Sequence, residues 1–122
     1  VLAVALGGAF GSVLRYGLTR LTVLWSGLPH WGTWCANGSG CLAIGLFTGY
    51  LLSGGVVSAR QDLFVRAGCL GGLTTFSALA LESVLLFESQ RWGLAALHLG
   101  SHLLFGLGGV WVGLAIGRGW GG

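Results

Sequence analysis

The chain has 122 residues, of which 54% are hydrophobic and only 7% charged, and its mean hydropathy is +0.85. A water-soluble domain carries about 25% charged residues, so this composition excludes one and points to a membrane protein. The net charge of +3 comes from arginines scattered at Arg15, Arg20, Arg60, Arg66, Arg91 and Arg118; no basic cluster suggests nucleic acid or an anionic lipid patch. Cys35, Cys41 and Cys69 lie in apolar segments and read as small buried hydrophobes, not as disulfides or metal ligands. The chain contains no Met, so its N-terminus is expected to be truncated or processed, and no signal-peptide pattern precedes Arg15.

A membrane helix needs about 20 mostly apolar residues. Four segments meet this within one transmembrane domain, residues 1–122, at about 2–25, 33–53, 63–87 and 92–116. The connectors are short, from Ser26 to Gly32 with Pro29, from Gly54 to Asp62 and from Glu88 to Arg91, so sequential neighbours run antiparallel. Trp25, Trp31, Trp34, Trp92 and Trp120 fall near predicted helix ends, where amphipathic rings settle at headgroup level. Trp111 lies deeper and is expected to pack.

In the first segment Arg15 is costly at membrane depth. It reads either as a vestibule cation that attracts an anion or as a snorkelling residue beside Tyr16. Asn37 in the second segment shares a helix face with Thr33 and suits either a pore lining or a bond to another helix.

The third segment holds Gly71-Gly72-Leu73-Thr74-Thr75-Phe76-Ser77. Two glycines followed by two β-branched threonines weaken a helix. Free backbone groups at membrane depth survive only where protein or a polar cavity satisfies them, which makes this break a candidate ion or solute site. The edge of the Phe76 ring carries partial positive charge and can meet a weakly solvated anion. Glu82 follows in an apolar run and needs a partner or a watery cavity, unless it sits at a helix end.

In the fourth segment His98 and His102 stand i, i+4 with Ser101 adjacent. They form a polar stripe or interhelical bonds; a zinc site lacks further ligands. No arrangement of nucleophile, base and acid suggests an enzyme. Small residues offer interfaces for a second chain at Gly7, Gly8 and Gly11, at Gly38 and Gly40, and at Gly106, Gly108, Gly109 and Gly113. Arg60, Arg66 and Arg118 fall on one side against Arg20 and Arg91 on the other, almost no orientation bias under the positive-inside rule. Two oppositely inserted copies could therefore pair, the alternative being a fixed orientation set by a partner or by a few lost terminal residues.

These residues together resemble the small microbial fluoride channels of the Fluc, or CrcB, family. The run from Gly7 to Tyr16, the set Gly32, Thr33, Asn37 and Gly40, and the run from Gly71 to Ser77 with Glu82 carry the likeness. The resemblance implies an all-α fold of four membrane helices with the third broken, assembled as a dual-topology antiparallel homodimer in the cell (inner or plasma) membrane. It implies passive fluoride export that relieves fluoride toxicity, with membrane lipid and fluoride as the other partners and no nucleic acid. A structural Na⁺ at the dimer centre would be held by the carbonyls of Gly71 and Thr74. Asn37, Phe76, Thr33, Ser77, Ser101 and His98 would line the pore, Arg15 the vestibule, with Glu82 nearby.

The chain departs from the family pattern at Leu79, where a second phenylalanine is usual, and at Ala78 and Ala80, where hydroxyls are expected. His98 stands where tyrosine is common, and the family's pore serine corresponds to Ser101 or to the position of His102. The departures fit a natural variant, an engineered pore mutant or a non-conducting or half-active subunit of a heterodimeric channel. A small four-helix multidrug or cation exporter is the remaining alternative, but it relies on a membrane glutamate in the first helix and none exists here.

Overall fold

The computed structural model describes residues 1–28 and 30–121. The expectation at Pro29 lies outside them. Four helical segments are long and apolar enough to cross a membrane, so the chain is a multi-pass membrane protein. Helix α1 spans Leu2–Ser26 and stops at Gly27, whose left-handed backbone (φ 75°) returns its N–H to the Val23 carbonyl at 2.7 Å. Only glycine adopts that conformation without a Cβ penalty. Helix α2 spans His30–Leu52 and so starts one turn earlier than the pattern from Thr33 suggests.

The third span is composite. Ser58 and Gln61 form a reciprocal cap on helix α3 (Ala59–Asp62). Leu63–Leu70 then winds in wide π-type turns, and Gly71–Leu73 returns to α-helical geometry. Thr74 and Thr75 are extended (ψ 150° and 120°), and helix α4 resumes over Phe76–Glu88 with the Thr75 hydroxyl accepting the Ala78 N–H. The break therefore falls on the threonines, not on the glycines. β-Branched side chains favour extended backbone, and Thr75 supplies an N-cap that glycine lacks. Helix α5 spans Trp92–Gly121, five residues beyond the expected end at Ile116.

Between helices the bilayer supplies no hydrophobic drive, so close approach of small residues carries the packing. Gly7 of α1 faces Gly68 of the third span and Gly11 the backbone of Cys69 and Leu73; a Cβ on Gly72 would lie 2.6 Å from the Gly8 carbonyl oxygen. Gly45 and Gly49 of α2 face Gly113 and Gly117 of α5 in the same manner, with the backbones of Val110, Leu114, Leu42 and Leu46 in contact range. Gly7, Gly11 and Gly113, expected to await a second chain, are thus consumed within this one. So is Gly40, where a Cβ would strike the Thr74 methyl. A Cβ at Gly8, Gly38 or Gly108 would meet nothing within 4 Å, although the Gly8 backbone itself lies against Gly72.

Ala36, Leu70 and Leu73 form the small buried core, flanked by Leu18, Ala43, Ile44 and Val65. Trp111 is 77% exposed, so it does not pack inside the chain. Trp34, near the start of α2, meets the Phe105 ring edge-on at 5.2 Å. The three cysteines are free and half-buried.

Candidate functional site

The broken span forces a question of hydrogen-bond accounting. Thr75 is extended, so its N–H is turned away from the Gly71 carbonyl that a continuous helix would offer it. Asn37 of α2 takes it: the Thr75 N–H donates to Asn37 Oδ1 at 2.7 Å, and Asn37 Nδ2 donates to the Thr75 carbonyl at 2.9 Å. This reciprocal pair fixes the orientation of the amide, because an N–H can only donate. On the other side of the break, Arg15 Nε donates to the Gly72 carbonyl at 3.1 Å. Thr74 turns its hydroxyl back to the Leu70 carbonyl at 2.9 Å. Arg15 is half-buried, with its Nε bound at the break.

A second polar group lies one step along the same helices. Thr33, 4% exposed, donates to Glu82 Oε2 at 2.7 Å, and His98 Nε2 meets Glu82 Oε1 at 3.1 Å. Glu82 is only 9% exposed. Both carboxylate oxygens are paired, as a carboxylate at membrane depth requires; it is not a helix-end residue at the interface. The three histidine rings meet in file, His30 tilted against His98 at 5.2 Å and His98 edge-on to His102 at 4.8 Å between ring centroids. His102 Nδ1 then reaches Asn37 Nδ2 at 3.4 Å. A continuous polar string thus runs from His30 through His98, with Glu82 and Thr33 beside it, to His102, Asn37 and the break.

At its outer end this string opens into a cavity of about 420 Å³ lined by His30, Trp31, Trp34, His98, Ser101 and Arg91, among others. Ser101 donates to the His98 carbonyl at 2.9 Å. At the inner end, Asn37, Gly40, Gly71 and Thr74 line a shallower groove of about 270 Å³. Arg66 also lines it, bound to Asp62 through two nitrogens, the Nη2–Oδ2 distance being 2.6 Å. Phe76 is 79% exposed, and Ser77 is exposed beside it with its hydroxyl 3.1 Å from that of Thr75. Leu79 turns the other way and is 9% exposed.

The expected site residues therefore separate into three places. Thr33, Glu82, His98 and Ser101 lie along the polar string. Asn37, Gly71, Thr74 and Arg15 surround the break. Phe76 and Ser77 project from the chain's surface. His30 is a member of the string that sequence reasoning did not assign, and His102 is one that it placed in a polar stripe with His98. The i, i+4 spacing of His98 and His102 signalled the second, and nothing in the connector composition signalled the first. Among the described residues no group of three or more His, Cys, Asp or Glu side chains is placed to hold a metal ion. Any cation here would rely on backbone oxygen, and the Thr75 N–H, given to Asn37, does not compete for the Gly71 carbonyl. Hard cations take such carbonyl ligands, and the C-terminal end of a half-helix carries partial negative charge. The residues at the break thus fit a small hard cation.

Four membrane helices, a third span broken at mid-depth and a polar string leading to the break define a small helical membrane protein built around an ion-scale site. The family described as CrcB-like protein, Camphor Resistance (CrcB), matches residues 2–114, and the chain belongs to it. The chain is 43% identical over 121 residues to "Fluoride-specific ion channel FluC" of Novosphingobium aromaticivorans, covering 95% of this chain and 94% of that one. It is 41% identical over 118 residues to the protein of the same name from Flavobacterium psychrophilum, covering 94% of each. Against that of Agrobacterium fabrum it is 39% identical over 117 residues, covering 94% of this chain and 93% of the relative.

Proposed function

We propose that this chain is a passive fluoride channel of the bacterial inner membrane. The observation that carries the reading is near-full-length similarity to relatives named fluoride-specific ion channels, on a chain whose break residues converge as Asn37, Thr75 and Arg15 do. Fluoride is small and strongly hydrated, so a path for it must replace water with hydrogen-bond donors. Arg91 at the mouth is such a donor, while the Thr33, Ser101 and Asn37 hydrogens would have to be exchanged from Glu82, the His98 carbonyl and Thr75 as the ion passes. Phe76 adds a ring edge and Ser77 a hydroxyl, both on the outer surface of the chain.

That placement supports an antiparallel homodimer. One chain offers half of a path, because Phe76, Ser77 and the groove at Gly71 and Thr74 face outward and lack an opposing wall. A second copy inserted in the opposite sense would supply it, and the open Gly38 and Gly108 allow close approach. Two such grooves meeting back to back would bring the Gly71 and Thr74 carbonyls of both copies around one Na⁺. When bound, that ion would supply a fixed positive centre that holds the two breaks together. Arg66 lines the same groove, and its pairing with Asp62 offsets its charge there.

A second reading, a half-active subunit of a heterodimer, has one observation in its favour. Leu79 is buried in its own chain, so each copy contributes one ring, Phe76, where the family usually has two. Fluoride efflux from liposomes carrying the purified chain alone tests the first reading against the second. Efflux that chloride cannot replace supports the homomeric channel; efflux only on adding a second, related chain supports the heterodimer. The exporter alternative has no observation behind it.

A further inference from the structure

The string of imidazoles ends on the amide that clamps the break, and that contact has a defined polarity. Asn37 Oδ1 is committed to the Thr75 N–H and one Nδ2 hydrogen to the Thr75 carbonyl. The remaining Nδ2 hydrogen is directed at His102 Nδ1 at 3.4 Å. It can only donate, so Nδ1 must accept, and a neutral His102 must carry its proton on Nε2. Nε2 is buried and has no partner among the described residues. A second proton on the ring would go to Nδ1 and set two donors against each other.

We propose that His102 is a positioning residue for the break: while neutral it accepts from Asn37 and holds that amide on Thr75, and protonation at Nδ1 withdraws the acceptor, loosens the clamp and lowers anion flux. The proposal rests on the channel reading for its flux consequence but not for its geometry. The groups that face this ring are His98, one turn away on α5 at 4.8 Å, and Asn37 of α2. Behind His98 stand Glu82 of α4 and His30 of α2, with Arg91 at the mouth. At the break, Arg15 binds Gly72 and Arg66 is neutralised by Asp62. The file of rings runs from the mouth to His102, and Glu82 contacts its middle member, His98. Thr75 passes the effect on, since it is the N-cap of α4 and immediately precedes Phe76.

The test measures fluoride efflux from liposomes holding the full chain at about pH 8 and about pH 5, on either side of the ordinary imidazole range. Protein-free liposomes at each pH give the background from undissociated HF. The wild-type flux is expected to fall roughly five- to tenfold at the acid pH, the factor set by losing one ordinary hydrogen bond. His102→Gln keeps an acceptor oxygen but binds no proton, so its flux should stay high and flat with pH. His102→Leu should be low at both. A fall that persists in His102→Gln, or a His102→Leu channel equal to wild type, overturns the proposal. A ¹⁵N NMR spectrum of the imidazoles in bilayers tests the geometry without flux: His102 should be the Nε2–H tautomer at about pH 8, and an Nδ1–H tautomer overturns the proposal. Absence of fluoride flux from the wild-type chain would defeat the channel reading instead, and the NMR result would still decide this one.

Discussion

Asn37 does more than its residue type suggests. Facing a pore, an asparagine has several substitutes; clamping an extended peptide on both sides, it has none. Asn37→Ala leaves the Thr75 N–H without its partner, a cost of about 1–3 kcal/mol, and removes the second bond to the Thr75 carbonyl. Fluoride efflux should fall more than tenfold with a measurable loss of thermal stability in detergent. Asn37→Asp keeps the acceptor and loses the donor, so it should rescue little. Thr33 allows a finer test. Thr33→Val keeps shape and removes the donor to Glu82 Oε2, worth about 1.5–3 kcal/mol for a bond to a charged group. Efflux should drop while the assembly, followed by size-exclusion chromatography, stays intact. Asn37 and Glu82 were visible in the sequence as polar residues at membrane depth. Their partners were not, because 38 and 49 positions separate the bonded residues in the chain and hydropathy carries no information about such pairings.

At the scale of elements, the broken span owes its shape to a division of labour between glycine and threonine. The sequence locates the weak point to within a few residues, since glycine and threonine both lower helix propensity. Which of the two unwinds depends on what α1 demands. Gly72 must stay helical and bare to sit against Gly8, whereas Thr74 and Thr75 gain from extended backbone and a cap. The glycine patterns were misread for a related reason: two glycines spaced one turn apart favour close approach equally well within a chain and between chains. Gly11 and Gly17 make the distinction testable. A Cβ at Gly11 would meet the Cys69 carbonyl, whereas at Gly17 nothing lies within 4 Å. Gly11→Val should cost about 1–3 kcal/mol by overpacking, seen as a lower melting temperature and less protein recovered. Gly17→Ala should be neutral or slightly stabilising, because alanine is the better helix former.

For the molecule as a whole, the four spans were legible in composition and hydropathy, because bilayer thickness sets helix length. The surface left over after folding was not. The chain buries its glycine crossings and Leu79 but exposes Phe76, Ser77, Trp111 and the groove at Gly71 and Thr74. That pattern is the basis for a second copy: half the candidate path lies inside the chain and half on its face. Purified in mild detergent, the protein should elute with light-scattering mass twice that of one chain, and replacing Phe76 with Ala should reduce fluoride efflux without splitting the pair. The central claim, that this chain alone forms a fluoride-selective path, meets its most direct test in liposomes loaded with fluoride or with chloride and carrying only the purified protein. Rapid efflux of fluoride with retention of chloride is the expected result. Retention of both ions by correctly folded protein, or release of both alike, would contradict it.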